Sequence, residues 1–150
     1  MRVSLNIILL IYAIIMTLIA YPMIYTIMYE DEDNAAVHTP LEGAAVDSQW
    51  EFTRDVASLI EYAYSLGYKL TFGEAWRHVH MQKYYVAHGL SWTMNSNHRK
   101  RRAVDFNLFI DDKYVVDKEP YAILGDYWES LDKKNRWGGR FNDAPHFERR

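Results

Sequence analysis

A long uncharged run at the amino terminus limits what the rest of this chain can fold into. From Val3 to Tyr29 the sequence holds no charged side chain and consists mainly of Ile, Leu, Met and Tyr. As one α-helix the run would be about 40 Å long, enough to cross the roughly 30 Å hydrocarbon core of a bilayer. The chain has 150 residues, and those that follow this run are enough for one modest globular domain.

The charges on either side of this run predict how it lies in a membrane. Arg2 precedes it, and the acidic stretch Glu30–Asp33 follows it directly. Because positive flanks stay in the cytoplasm, we expect residues 3-29 to cross the inner membrane once, with the following domain on the periplasmic or extracytoplasmic side. A cleaved signal peptide is the alternative. Its apolar core spans about 7–15 residues and ends at a small-residue cleavage site, which this run lacks, so we predict an uncleaved signal-anchor.

Composition divides the chain further and excludes some classes of function. Residues 1-33 form the predicted anchor with its acidic flank, residues 34-47 an Ala-rich tether, and residues 48-150 the folded domain. The first of these holds four of the 20 acidic and one of the 17 basic residues, so the remainder is formally neutral. Nucleic-acid-binding domains normally carry a basic surplus, and we expect no nucleic-acid partner. The absence of cysteine excludes thiol catalysis and cysteine-ligated zinc.

The spacing of apolar residues and turn formers predicts an α+β domain, a small antiparallel sheet flanked by helices and preceded by one N-terminal transmembrane helix. Helices are expected from a capping box at Ser48–Glu51 to Gly67, over 79–88 and over 120–134, and strands over 68–72, 103–110, 114–116 and 141–147. Residues 90–97 and 135–140 are predicted as loops. In the strand over 103–110, Asp105 falls on the face opposite the apolar row, where a cleft can form.

Three side chains far apart in the sequence are candidate ligands of Zn²⁺. His98 and Asp105 are seven positions apart, and His146 follows some forty residues later. Two imidazoles and one carboxylate leave the fourth tetrahedral position open for water, which is typical of a catalytic zinc. A lone pair of this spacing is a weak signal in a chain with six histidines, and the residues around His146 make it specific.

Together these stretches resemble a known group of enzymes. Ser96-x-His98-x6-Asp105 followed by Asp143-x-x-His146 is similar to the zinc peptidases that include D-Ala-D-Ala carboxypeptidases and phage L-alanyl-D-glutamate endolysins, in the lysostaphin and hedgehog structural group. The resemblance covers about Phe72 to Glu148. Upstream, Phe72 to Arg77 with Gln82 resembles the Gly-x-Arg and Gln segment of the family. The ending, from Trp137 to Glu148, is closest to the endolysin branch, in which aspartate commonly stands three residues before the last histidine.

The resemblance implies a fold, a cofactor and a set of roles. It implies a hedgehog-like or D-Ala-D-Ala peptidase-like domain that binds Zn²⁺ through His98, Asp105 and His146. Asp143 is then the general base and Arg77 a catalytic residue that also holds the substrate's carboxylate or the developing oxyanion. The remaining residues implied to bind substrate are Gln82, Ser96 and Trp137.

The implied activity is hydrolysis of an amide bond in the stem peptide of peptidoglycan, by a monomer. The endolysin-like ending favours the L-Ala–D-Glu bond, as in phage cell-wall lysis, and cleavage of the terminal D-Ala–D-Ala bond is the alternative. Two other hypotheses stay open. One is a metal-independent, muramidase-type glycan hydrolase that uses Glu74 with Asp143 or Asp105. The other is a zinc-binding domain without catalysis.

Other histidines and a basic run have simpler interpretations. His78 and His80 share a face only on a strand, and the sequence here predicts the start of a helix. His88 precedes Gly89 at the expected helix end, where it interacts with the helix dipole. The basic run Arg99–Arg102 is expected to be a solvated loop, and attraction of anionic wall material is the alternative.

Overall fold

A computed structural model describes residues 5–29 and 43–150 of the chain. Its helices and strands, numbered in chain order, are α1 (Leu5–Tyr29), α2 (Ala44–Ser65), β1 (Lys69–Phe72), α3 (Val79–Ala87), β2 (Ala103–Ile110), β3 (Lys113–Val115), α4 (Lys118–Leu131), β4 (Asn135–Trp137) and β5 (His146–Arg149). A 3₁₀ helix, Gly138–Phe141, follows β4 directly. The chain divides into two units, Met1–Thr39 and Pro40–Arg150.

The first unit contains α1, a helix of 25 residues that coincides with the uncharged run found in the sequence. Over the residues that the structure describes, no helix combines the length and the apolar character needed to cross a membrane. The predicted transmembrane segment at residues 3-29 therefore lacks structural support. The acidic flank, residues 30–33, and most of the predicted tether, residues 34–42, lie outside the described residues.

The second unit is built on β2, the longest strand. β1 pairs with it along Phe106–Phe109, β5 pairs with its first three residues, and β4 extends the sheet beyond β5. β3 pairs with the far end of β2 through a turn at Asp111 and Asp112, both of which have positive φ. Every pairing is antiparallel, which confirms the predicted α+β domain with a small antiparallel sheet.

One face of the sheet carries the hydrophobic core. The apolar row of β2 and Phe147 of β5 are buried against α2 and α4. The buried helix residues that cover this face are Phe52, Leu59, Ala63, Tyr121, Leu124 and Trp128. Because successive side chains of a strand point to opposite faces, the residues between those of the apolar row are directed away from the helices. Asp105 is one of them, as its position in the sequence predicts.

A buried arginine ties both helices to the end of β5. Arg149 is 1% exposed, and its guanidinium donates hydrogen bonds to Asp55 of α2, to Asn135 of β4 and to Asp132 at the end of α4. A buried cation is tolerated only when paired in this way. The network therefore fixes β5, whose other end carries His146.

Three local predictions are wrong. The strand expected over 141–147 is replaced by β5, which comprises only His146–Arg149, and Phe141 ends the preceding 3₁₀ helix. The capping box at Ser48–Glu51 does not form, because α2 already begins at Ala44 after Gly43 with its φ of 67°, so that Ser48 lies inside the helix. Residues 135–140 are not a loop: Asn135–Trp137 forms β4, which gains its backbone partners from β5, and Gly138–Phe141 is a 3₁₀ helix. Since short edge strands depend on their neighbour, local sequence alone does not reveal them.

Candidate active site

The strand register places two of the three ligand candidates side by side. Asp105 of β2 is the direct cross-strand partner of His146 of β5, so their side chains share the sheet face away from the core. His98 lies in the turn that precedes β2. Ser96 fixes this turn, since its Oγ accepts a hydrogen bond from the backbone N–H of His98 at 3.3 Å. The structure thus brings together residues separated by up to 48 positions.

The atoms of these side chains converge on one point. Nδ1 of His146 lies 2.9 Å from Oδ1 of Asp105 and 3.2 Å from Nε2 of His98, and the last two atoms are 3.3 Å apart. Tetrahedral zinc with N and O ligands at about 2.0–2.1 Å has ligand atoms about 3.3–3.4 Å apart. The three side chains therefore form a group that can hold a metal ion, and their chemistry and spacing fit zinc.

The close approach of these side chains shifts the pKa values of Asp105 and His146. Burial opposes ionisation of Asp105, but hydrogen bonds from His146 and His98 outweigh it and keep the pKa of the carboxyl well below its usual range. Burial also opposes the charged form of His146, yet its hydrogen bonds to Asp105 and Glu148 raise its pKa to about 9. The surroundings of the group thus favour a positive charge, which a proton or a metal cation can supply.

Glu148 is a residue of the site that the sequence did not identify as such. It is 5% exposed, and its Oε2 lies 3.3 Å from Nε2 of His146 and accepts a hydrogen bond of 2.8 Å from Asn97. Its Oε1 accepts from Arg136. Although burial raises its pKa, the contacts with His146, Asn97 and Arg136 lower it to about 2. The spacing of two residues on a strand, which puts Glu148 on the face of His146, was the available signal.

The contact between Glu148 and His146 determines which nitrogen of the His146 imidazole is available to a metal ion. A carboxylate at Nε2 favours the tautomer with its proton on that nitrogen, so that Nδ1, which faces Asp105 and His98, can act as a ligand. His98 contributes Nε2 instead. Its Nδ1 is buried and has no hydrogen-bond partner among the described residues.

We expect Glu148→Gln to weaken zinc binding by about 10–100-fold, because the neutral amide orients and polarises His146 less well than the carboxylate. Competition with a chromophoric chelator measures the affinity. Glu61→Gln, an exposed change on α2, is the matched control and should bind zinc like the parent protein. Equal affinities for all three proteins would contradict the role given to Glu148.

Asp143 lines the same cleft as the three candidate ligands. Its position is fixed by the backbone: its N–H donates to the carbonyl of Gly138 at 3.0 Å, and its own carbonyl accepts from the N–H of His146 at 3.2 Å. Burial raises the pKa of Asp143, and the negative charge of Asp105 acts in the same direction, against the attraction of His146. A carboxylate with a raised pKa is a stronger proton acceptor, as a general base must be.

Arg77 also lines the cleft, and Gln82 lies behind it. The Nε and Nη2 of Arg77 donate to Glu74, while Nη1 donates to Oε1 of Gln82 at 2.9 Å. Gln82 is fully buried, and its amide also donates to Ser91 and to the carbonyl of Thr93. Gln82, predicted to bind substrate, thus lies behind the cleft, where it holds Arg77 and the following loop in place.

Trp137, predicted to bind substrate, is not among the residues that line the cleft. It is 1% exposed and pairs with Phe147 in the strand register, which puts its side chain on the core face. Its indole lies between two glycines: a Cβ added to Gly125 would come within 2.2 Å of the ring, and one added to Gly139 within 2.1 Å. Its indole N–H donates to the carbonyl of Ala144.

The cleft itself is open to solvent and has a volume of about 530 Å³. The candidate ligands and Asp143 line it together with other polar and apolar side chains, including Trp92, which is completely exposed. The residues that line it are Arg77, Leu90, Ser91, Trp92, Thr93, Asn95, Ser96, Asn97, His98, Asp105, Arg136, Phe141, Asn142, Asp143, His146 and Glu148.

The other histidines that the structure describes lie elsewhere. His78 is the N-cap of α3, where its Nδ1 accepts a hydrogen bond from the backbone N–H of His80, and neither side chain lines the cleft. His88 caps the other end of α3, with its Nδ1 2.8 Å from the carbonyl of Tyr84. These positions agree with a structural role for all three.

Comparison with known proteins shows two similarities. Residues 89–149, which include every candidate ligand and Asp143, match the family model described as D-alanyl-D-alanine carboxypeptidase. The crystal structure of the L-Ala D-Glu endopeptidase ChiX of Serratia marcescens is similar in fold, with a TM-score of 0.58 and 18% sequence identity over 79% of this chain and 96% of that chain. A search of curated proteins gives no significant match. Residues 89–149 are therefore similar to this family of peptidases, and the chain shares its fold with that endopeptidase.

Proposed function

We propose that this protein is a zinc-dependent peptidoglycan peptidase that hydrolyses the L-Ala–D-Glu bond of the stem peptide. The observation that carries the proposal is the convergence of His98, Asp105 and His146 in an open cleft that Asp143 also lines. A site built only for structure would have no use for an accessible carboxylate with a raised pKa beside it. All of these residues come from one chain, so a monomer suffices.

His98, Asp105 and His146 would hold the metal ion. The chemistry that zinc supplies in such a site is activation of water near neutral pH and polarisation of the scissile carbonyl. Asp143 accepts the proton that water loses as it attacks the carbonyl carbon, and then delivers that proton to the nitrogen of the leaving amine. Glu148 acts through His146, whose ring orientation it fixes.

Arg77 supplies a fixed positive charge in the same cleft. Glu74 and Gln82 hold its guanidinium, and the ring of Tyr85 lies 4.4 Å from its central carbon. A cation held so rigidly can stabilise the oxygen of the tetrahedral intermediate without reorganisation. Its hydrogen bonds to Glu74 raise its pKa although burial lowers it, so Arg77 stays charged throughout the working range of pH.

The choice of bond rests on the endolysin-like sequence around His146 and on the activity of the enzyme with a similar fold, an L-Ala D-Glu endopeptidase. Cleavage of the terminal D-Ala–D-Ala bond is the second candidate, because the matching family model is described by that activity. A glycan hydrolase is disfavoured. It needs two carboxylates facing one sugar bond, and Glu74 is paired with Arg77 and does not line the cleft.

The substrate lies outside the cytoplasm, and the location that we propose for the protein follows from this. Residues 3-29 carry no charge, and an acidic stretch follows them, as in a single-pass signal-anchor with its catalytic domain on the periplasmic side. Such an anchor keeps the enzyme next to the cell wall. Phage endolysins with an amino-terminal anchor have a similar layout.

Digestion of purified muropeptides by the intact protein, followed by mass spectrometry, tests this function. We expect products cut between L-Ala and D-Glu, no cleavage after treatment with a chelator, and recovery when zinc is added back. Release of free D-Ala instead would identify the second candidate. New reducing ends, or cleavage that a chelator does not affect, would contradict a zinc peptidase.

A further inference from the structure

Arg136 lies on the same sheet face as the candidate metal ligands. In the register of the sheet it is the direct partner of Glu148 on β5, just as His146 is the partner of Asp105 on β2. Because Glu148 and His146 are two positions apart, these four side chains form a continuous row across three strands. Arg136 lines the cleft, and its side chain is 36% exposed.

The guanidinium of Arg136 is held in a fixed orientation. Its Nε and Nη2 contact Oε1 of Glu148, and its central carbon lies 4.6 Å from the centre of the Phe141 ring, which also lines the cleft. Among the described residues, its Nη1 has no hydrogen-bond partner. Glu148 also accepts a hydrogen bond from Asn97 and contacts His146, so Arg136 is one of three partners of this carboxylate. The arginine therefore keeps donors and positive charge for a ligand.

The two arginines of the cleft differ in what they can offer. Arg77 is 9% exposed, and both Glu74 and Gln82 occupy its donors. Arg136 is the more accessible of the two and is joined through Glu148 to His146. Lysine is absent from the cleft-lining residues that the structure describes. A carboxylate that enters the cleft next to the ligand group would thus meet Arg136 as its most accessible cation.

The chemistry of the proposed substrate supplies such a carboxylate. In the L-Ala–D-Glu bond the glutamate joins the rest of the stem through its γ-carboxyl, and its α-carboxyl is free on the residue that follows the scissile amide. We infer that Arg136 binds this α-carboxylate and makes the enzyme selective for stem peptides in which it is not amidated. This inference rests on the proposed function and adds a specificity-determining residue to it.

A pair of substrates that differ only at this group tests the inference. Two muropeptides are compared, one with D-glutamate and one with D-isoglutamine, whose α-carboxyl is an amide. We expect the intact enzyme to prefer the acid by about 10–100-fold in kcat/KM, the range that a charge-assisted hydrogen bond supplies. In Arg136→Met the acid-to-amide ratio should fall to about one, because both substrates then lack a cationic partner.

The ratio within each variant cancels any general loss of activity through Glu148. Arg140→Met is the matched control: it removes an exposed arginine of the adjacent 3₁₀ helix that pairs with Asp126 and Glu129, and the ratio should stay as in the parent. If Arg136→Met loses zinc, the acid-to-amide ratio is measured in Arg136→Lys instead. A lysine keeps the positive charge but lacks the fork of donors, so we expect this ratio to be severalfold lower than in the parent.

The outcomes separate the two proposals. A parent enzyme that cleaves both substrates equally, or a ratio that neither change at Arg136 alters, overturns the inference and leaves the peptidase activity intact. Failure of the zinc-loaded parent to cleave either muropeptide contradicts the proposed function itself. Selectivity for the acid that disappears in Arg136→Met supports both.

Discussion

Replacing His146 by alanine is expected to abolish zinc retention and to lower peptide cleavage by about a thousandfold or more. The change removes Nδ1, which lies 2.9 Å from Asp105 and 3.2 Å from His98, so that only two of the three converging atoms remain. It also leaves Glu148 buried without its imidazole partner. His98→Ala should have the same effect, because each of the three side chains supplies one ligand.

Metal content after gel filtration and muropeptide cleavage are measured together with circular dichroism. His88→Ala is the matched control, since His88 is exposed at the end of α3 and does not line the cleft. It should keep zinc and activity. A folded His146→Ala protein that still retained one zinc ion per chain, or cleaved at the parental rate, would show that the ligand assignment is wrong.

Asp143→Asn has an equally clear expected result: one zinc ion per chain is retained, and kcat falls by about 10²–10⁴-fold. The amide has nearly the same shape as the carboxylate but cannot accept the proton of the attacking water. Asp143→Glu should recover part of the activity, since it restores the carboxylate on a longer side chain. Asp126→Asn, an exposed change on α4, serves as the control.

The pH profile gives Asp143 a second test. Burial raises its pKa, so its protonated, inactive form persists to a higher pH than for an exposed aspartate. Cleavage by the parent should therefore rise with pH as Asp143 loses its proton, and this acid limb should be absent from the residual activity of Asp143→Asn. Full activity in Asp143→Asn or Asp143→Ala would show that another group is the base.

The sequence predicted the central strand and its two faces because this information is local. The alternation over 103–110 placed Asp105 opposite the apolar row, and the structure buries Val104, Phe106 and Leu108 on the core face. The helix over Val79–Ala87 was also predicted almost to the residue. In each case the decisive pattern lies within one element.

Other positions are set by contacts that lie outside one element. Ser48 has the sequence of a helix cap, yet it lies inside α2, buried within 3.4 Å of Arg102. Trp137 was expected in the substrate groove, but pairing with Phe147 turns it into the core. Gln82 was expected to touch substrate, but burial leaves it contacts with Arg77 and the loop alone.

The amino-acid sequence by itself determined the chemistry available to this protein: two imidazoles and a carboxylate of the types that zinc prefers, with an aspartate near the last histidine. The tertiary structure alone decided which other side chains share the site. Glu148 and Arg136 enter it because the register of β4 and β5 sets the sheet face of every residue, while Trp137 leaves it for the same reason. A shift of one residue in that register would move every side chain of β4 to the opposite face, and the pairing itself forms only when the sheet assembles.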